Sequence, residues 1–303
     1  MNKDAKILIV GHNDIIENSL KKYFDAHNYS NVFSSFLTGL NPVIQPAVYD
    51  FFAQNRPEYV FLASTRSGGI EANRRLAGEF IYHNLESQNN ILYASYKFGV
   101  KKLVFVASSC VYPKECPQPI KEEYLLTGEL EKTSEAYAVA KIAGIKLCEA
   151  FRKQYGLNAI TVIPATVYGP GSGTDIETAH VIGALMAKFA CAVAENKKEV
   201  IVWGTGNPRR EFLFADDFIE ACIFLMDRYE GEELINVGSG YDVSIKELAE
   251  MIAQSAGFKG NIIFDQTKPD GVKQKLLDNS RITKLGWRPK IVLKEGIEKT
   301  YRG

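Results

Sequence analysis

Tyr137 and Lys141 stand four positions apart in Tyr137-Ala-Val-Ala-Lys141. A helix turns once in about 3.6 residues, so the two side chains share one face, where the ammonium lowers the phenol's pKa and readies it for proton transfer. Upstream, the apolar run Leu103-Val-Phe-Val-Ala107 leads into Ser108-Ser-Cys-Val-Tyr-Pro113. A hydroxyl at such a strand end, that of Ser108, is placed to hydrogen-bond the same substrate oxygen. Alone, a Tyr and a Lys one turn apart are common on any surface helix; the serine strand before them makes the pair informative. Cys110 lies in the same stretch, which sets it apart from Cys116, Cys148, Cys191 and Cys222.

Elements that would position these groups alternate along the chain. Lys6–Val10 reads as a strand ending at Gly11, Ile15–Phe24 as a helix, Pro46–Asn55 as a helix and Tyr59–Ala63 as a strand. Phe80–Phe98 is helical, Leu103–Ala107 a strand, Ala136–Tyr155 a long helix and Ala159–Ile163 a strand ending before Pro164. Strands alternating with helices predict an α/β fold with a doubly wound, Rossmann-like parallel sheet and ligands at the carboxyl ends of its strands. After Tyr168-Gly-Pro-Gly-Ser-Gly173 the rhythm changes: a helix at Ala179–Glu195, a strand at Val200–Trp203, a helix to Arg228 capped by Asp216-Asp217, and a strand at Leu234–Val237. A helix at Ser244–Ala256, a strand at Asn261–Phe264 and a helix at Ile291–Tyr301 complete the chain. The expected division is a dinucleotide-binding-type domain over 1–173 plus about 214–240, and a smaller C-terminal α/β substrate lobe over about 174–213 plus 241–303.

The 303 residues are enough for a substantial core. Thirty-six basic and 36 acidic residues balance to zero, which argues against nucleic acid or an anionic membrane as main partner. No run approaches the roughly 20 apolar residues of a membrane span, and the first residues lead into a strand, so a cytoplasmic protein is expected. The cysteines show no metal-ligand spacing and no disulfide density; no metal is expected.

Strand-end serine plus Tyr-x-x-x-Lys resembles the short-chain dehydrogenase/reductase superfamily, whose extended members work on nucleotide sugars. The chain is more closely similar to the GDP-L-fucose synthase family, through Ser108–Pro113, Tyr137–Glu149, Tyr168-Gly-Pro170, His180-Val-Ile182, Val202-Trp-Gly204, Arg210-Glu-Phe-Leu213, Ile235-Asn-Val-Gly238 and Lys268-Pro-Asp-Gly271. The resemblance implies 3,5-epimerisation and NADPH-dependent 4-keto reduction of a GDP-4-keto-6-deoxy-hexose. Tyr137 is then the proton donor, with Lys141 stabilising its anion and touching the nicotinamide ribose, and Ser108 polarising the carbonyl. Cys110 and His180 take the family's base and acid for epimerisation, the thiol partly ionised by a nearby cation. Lys188, Trp203, Arg210 and Asp270 take the nucleotide and diphosphate, although Lys188 stands where an arginine is usual. Family members pair through helices like Phe80–Phe98 and Ala136–Tyr155, which implies a homodimer.

One region departs from the family. NADP(H) would rest on Gly11, Ser108, Lys141, Pro164 and Thr166, the last in place of an asparagine. A dinucleotide's pyrophosphate needs a glycine-rich turn at a helix N-terminus. Here the turn reads Gly11-His-Asn-Asp14-Ile-Ile-Glu17, with Asp14 and Glu17 replacing glycines. Asp14 would set a negative group at the phosphate position and is a ready helix cap. Between Lys22 and Arg56 there is no Lys or Arg to meet a 2′-phosphate. Three readings follow: the full epimerase/reductase, a cofactor-independent epimerase that no longer delivers hydride, and a non-catalytic nucleotide-sugar-binding paralogue. Retention of the Ser-Tyr-Lys set favours the first.

Overall fold

A computed structural model describes residues 1–12, 14–171, 180–268 and 270–302. Strands β1 (Ile7–Val10), β2 (Val32–Ser34), β3 (Tyr59–Leu62), β4 (Lys102–Val106) and β5 (Ala159–Pro164) belong to one parallel sheet. Then come β6 (Thr166–Tyr168), β7 (Glu199–Trp203) and β8 (Arg209–Phe214), which lie outside it, and β9 (Ile235–Val237), which returns as its sixth strand. The sheet order is β2-β1-β3-β4-β5-β9, the doubly wound arrangement read from the sequence. Residues in β1, β4 and β5 are buried throughout, because helices cover both faces.

The Ala77–Lys97 and Glu135–Tyr155 helices pack together on one face. Their approach depends on Gly144: a Cβ there would stand 2.5 Å from the Phe105 ring and 2.7 Å from Gln88 Oε1. Gln88 in turn donates from Nε2 to the Ala140 carbonyl at 2.7 Å, which fixes the helix that carries Tyr137 and Lys141.

Beyond β9 lie β10 (Asp242–Ser244), β11 (Asn261–Asp265) and β12 (Gln274–Lys275). β8 is flanked by antiparallel β10 and parallel β12 and also pairs with β6, while β7 and β11 form a parallel pair. A second core gathers here from Tyr168, Ile182, Phe189, Val202, Phe212, Leu248 and Ile297. Leu277, Ile282 and Trp287 instead pack into the first core, so the chain crosses back once more after β12.

Sequence periodicity gives no sign of β2, β6, β10 or β12, which have three, three, three and two residues and no sustained apolar run. Arg210–Leu213, a stretch that carries the family resemblance and holds the expected diphosphate ligand Arg210, is also part of the central strand of the second sheet. The Asp216-Asp217 cap is a correction: the Ala215–Arg228 helix starts at Phe214 without a side-chain cap. Asp217 is buried and accepts from the backbone amides of Lys290 and Ile291 at 3.0 and 2.8 Å, pinning the last helix's approach. The expected helix start at Ala179 and the 173/174 boundary lie outside the described residues.

Candidate active site

β4 ends at Val106, and the chain turns through Ser108 into a short 3-10 segment, Ser109–Val111. Ser108 caps that turn by accepting from the Cys110 amide at 3.4 Å. Its hydroxyl is also within hydrogen-bonding reach of the Cys110 thiol and the Tyr137 phenol. Cys110, Tyr137 and Ala138 form a small buried cluster of their own, with Leu130 against it. Serine, thiol and phenol therefore converge at one point.

Two electrostatic expectations are reversed. Burial, with Cys110 alongside, pushes Tyr137 well above the usual phenol range despite hydroxyls from Ser108, Thr65 and Ser67. Lys141 Nζ donates to the carbonyls of Ser64 and Val106, both at 3.1 Å. Burial lowers Lys141 itself to about 8. Cys110 is likewise raised, burial outweighing the nearby ammoniums of Lys275 and Lys141. In the resting site both the thiol and the phenol hold their protons.

His180 immediately precedes the Val181–Ala194 helix, without capping it through its side chain. Its side chain reaches solvent, yet surrounding protein and the Lys275 charge lower its pKa. Lys275, from β12, is electrostatically coupled to both Cys110 and His180, and its own pKa is lowered by burial. Sequence reasoning missed it: a two-residue strand leaves no pattern, and only its place just after Lys268-Pro-Asp-Gly271 hints at it.

The nucleotide candidates gather on the second lobe. Trp203 is 61% exposed, with Lys188 Nζ 5.4 Å and Lys268 Nζ 5.3 Å from its ring centroid. That is an aromatic face with two cations, suited to a base and its diphosphate. Lys188 also donates to the Ile201 carbonyl at 3.0 Å. Arg210 donates to the Arg209 carbonyl at 2.8 Å and feels the Asp270 charge. Asp270 accepts from the Thr205 amide at 2.9 Å and the Thr205 hydroxyl at 2.7 Å, so it shapes the 204–205 turn.

The cofactor turn has a different chemistry. Asp14 caps the Ile15–Ala26 helix as the sequence predicts, accepting from Ile16 N at 3.0 Å and Glu17 N at 2.9 Å. Burial raises its pKa. Glu17 is 2% exposed and lies flush against Gly11, where a Cβ would meet its Cβ at 2.6 Å. Its Oε1 accepts from the Ser34 hydroxyl at 2.6 Å and the Phe36 amide at 3.3 Å. Pro164 ends β5 and Thr166 begins β6.

An open parallel sheet with a strand-end serine, a Tyr-x-x-x-Lys helix and an exposed tryptophan flanked by two lysines agrees with a nucleotide-sugar epimerase/dehydrogenase class. Residues 8–238 match the NAD dependent epimerase/dehydratase family, and the chain belongs to it. GDP-L-fucose synthase 1 of Arabidopsis thaliana is 46% identical over 300 residues, covering 99% of this chain and 93% of that protein. GDP-L-fucose synthase of Escherichia coli (strain K12) is 41% identical over 306 residues, covering 98% and 95%. Among solved structures, a GDP-mannoheptose C4 reductase from Campylobacter jejuni with NADP bound superposes with a TM-score of 0.90 at 37% identity, covering 100% and 98%. The protein is a GDP-L-fucose synthase-like enzyme, of the NADP-dependent epimerase/reductase class.

The dinucleotide that the class implies does not fit the described groups around Gly11, Asp14 and Glu17. The helix-terminal amides of Ile16 and Glu17 already serve Asp14, and the donors at the end of β2 already serve Glu17. Among the described residues no group of three or more metal-ligating side chains is present, and no helix is long and apolar enough to cross a membrane.

Proposed function

We propose that the chain epimerises a GDP-4-keto-6-deoxy-hexose at C3 and C5, with Cys110 and His180 handling the protons on opposite faces of the sugar. The observation that carries this is the convergence of the Ser108 hydroxyl, Tyr137 phenol and Cys110 thiol, with Lys275 coupling Cys110 to His180. Ser108 and Tyr137 hydrogen-bond the C4 carbonyl, which acidifies its neighbouring C–H bonds. The Cys110 thiolate takes the proton, the electron pair moves into an enolate, and His180 returns a proton to the other face. Oxidation state is unchanged. The NADPH-dependent 4-keto reduction that the resemblance adds would use Tyr137 as proton donor, with Lys141 behind it.

Trp203, Lys188, Lys268 and Arg210 hold the GDP moiety in this reading. A homodimer is part of it, supported by Val139, Tyr93, Tyr96 and Tyr155, which are exposed on the paired long helices. A cytoplasmic setting is supported by five free cysteines. The test is solvent-deuterium incorporation at C3 and C5. Cys110→Ser is expected to slow it by about 10²–10⁴-fold, the usual contribution of a positioned base. Unchanged incorporation would remove Cys110 from the mechanism.

A further inference from the structure

We infer that the dinucleotide groove of this chain is filled by the chain's own side chains, so that the protein takes a GDP-sugar without a nicotinamide dinucleotide and works as a redox-neutral epimerase. The inference rests on the substrate reading above and deepens it. Three parts of the groove carry it, one for each portion of the missing ligand.

At the pyrophosphate portion, phosphate oxygens require the free amides of a helix N-terminus with no side chain between. Asp14 is a side chain at that place, and its carboxylate holds two of those amides. A dinucleotide would have to displace it and then sit beside it, a bisphosphate against a carboxylate.

At the adenosine-ribose portion, a dinucleotide normally meets free groups at the end of the second strand. Here Ser34 and Phe36 are turned onto Glu17, and Ser35 bridges Gly11 by accepting from its amide at 3.0 Å and donating to its carbonyl at 3.1 Å. Gly11, the one glycine left of the turn, thus has a second use: it makes room for Glu17 rather than for a phosphate. The substitutions are mutually fitted. A glycine lost at random would leave a clash or an orphaned carboxylate, whereas Glu17 is packed and hydrogen-bonded.

At the nicotinamide portion, the loop after β3 is stapled inward. Ser64 Oγ meets His12 Nε2 at 2.9 Å and Ser87 Oγ at 3.3 Å, while Arg66 exchanges backbone hydrogen bonds with the Asn84 side chain at 3.0 and 2.8 Å. The same loop brings Thr65 and Ser67 onto the Tyr137 phenol and supplies the Ser64 carbonyl to Lys141. Groups that would face a ribose and a hydride donor face protein hydroxyls and carbonyls. The groups that epimerisation needs, Ser108, Tyr137, Cys110, Lys275 and His180, come from other elements and are kept.

The experiment is a titration of the full-length protein with NADPH, followed by nicotinamide fluorescence, beside deuterium wash-in at C3 and C5 without any dinucleotide. The expected result is no saturable signal up to about 1 mM cofactor, with wash-in proceeding. Restoring both glycines, Asp14→Gly with Glu17→Gly, is expected to tighten NADPH binding by at least about tenfold, equivalent to about 1.4 kcal/mol. Saturable binding to the wild type below about 50 μM, or consumption of NADPH in step with ketone loss, overturns the inference. If the double glycine chain does not fold, the wild-type titration decides alone. Absence of both wash-in and GDP-sugar binding sinks the substrate reading instead, and the titration still judges the groove.

Discussion

On the side of the cleft proposed to take the sugar, side chains from elements distant in sequence converge. On the dinucleotide side, side chains from neighbouring elements turn toward each other. Cys110 and Tyr137 pack against each other with the Ser108 hydroxyl in reach of both, and the Lys275 charge acts on Cys110 and His180. Glu17 accepts from Ser34 and Phe36, and Ser35 bridges the backbone of Gly11, so these groups are engaged with protein partners. The contrast separates two kinds of buried polarity. One brings a hydroxyl, a thiol and a phenol from separate elements together; the other engages its hydroxyls, amides and carboxylates with one another.

The largest expected effect would break this contrast. In the proposed reaction Tyr137→Phe removes one donor to the C4 oxygen, and deuterium wash-in should fall about 10²–10³-fold, as for loss of a donor to a developing oxyanion. GDP-sugar affinity, measured by calorimetry, should stay within a few-fold of wild type, since Trp203 and the lysines around it lie on the other lobe. Asp14→Gly, on the dinucleotide side, should leave wash-in unchanged. Equal losses in both variants would mean that the two sides are not functionally distinct.

A smaller effect sharpens the sugar side. The proposed epimerisation needs Cys110 deprotonated and His180 protonated, yet Cys110 titrates above its ordinary 9.0 and His180 below its ordinary 6.5. The productive pair is a minor tautomer of the singly protonated site, and its fraction is constant between the two pKa values. Wash-in should therefore be level across neutral pH. It should fall about tenfold per unit below the lowered His180 value, where both groups are protonated, and likewise above the raised Cys110 value, where neither is. A rise continuing through neutral pH toward pH 9 would show a solvent-exposed thiol and a different acid.

Much of the sugar side was legible because its spacing is local. Ser108 to Cys110 spans one turn and Tyr137 to Lys141 one helical repeat, so identity and offset suffice. The directions of their pKa shifts were not legible, because they depend on how deeply the helix with Gly144 is drawn onto the sheet. Lys275 was missed since it arrives on a two-residue strand whose partner, Arg209–Phe214, is itself far away in sequence. On the dinucleotide side the loss of glycine was visible, and so was the Asp14 cap. The destination of Glu17 was not: its partners sit at the end of β2, a three-residue strand without an apolar run.

The smallest expected effect tests whether the dinucleotide side is complete or merely blocked. Asp14→Ala removes the acceptor of two helix-terminal amides and should cost about 1 kcal/mol in denaturant unfolding, as for other N-caps. Asp14→Asn keeps the acceptor and drops the charge. Burial raises the Asp14 pKa in the folded chain, so its carboxyl favours folding most when protonated, and that contribution is lost as pH rises through the folded value. Asp14→Asn should thus be more stable than wild type at pH 8 and converge on it as pH falls through the ordinary carboxylate range. If instead Asp14→Asn is the less stable chain at pH 8, the ionised carboxylate is favoured where it stands. A cation or the helix dipole then outweighs its burial, and the turn has spare positive potential that a phosphate could use.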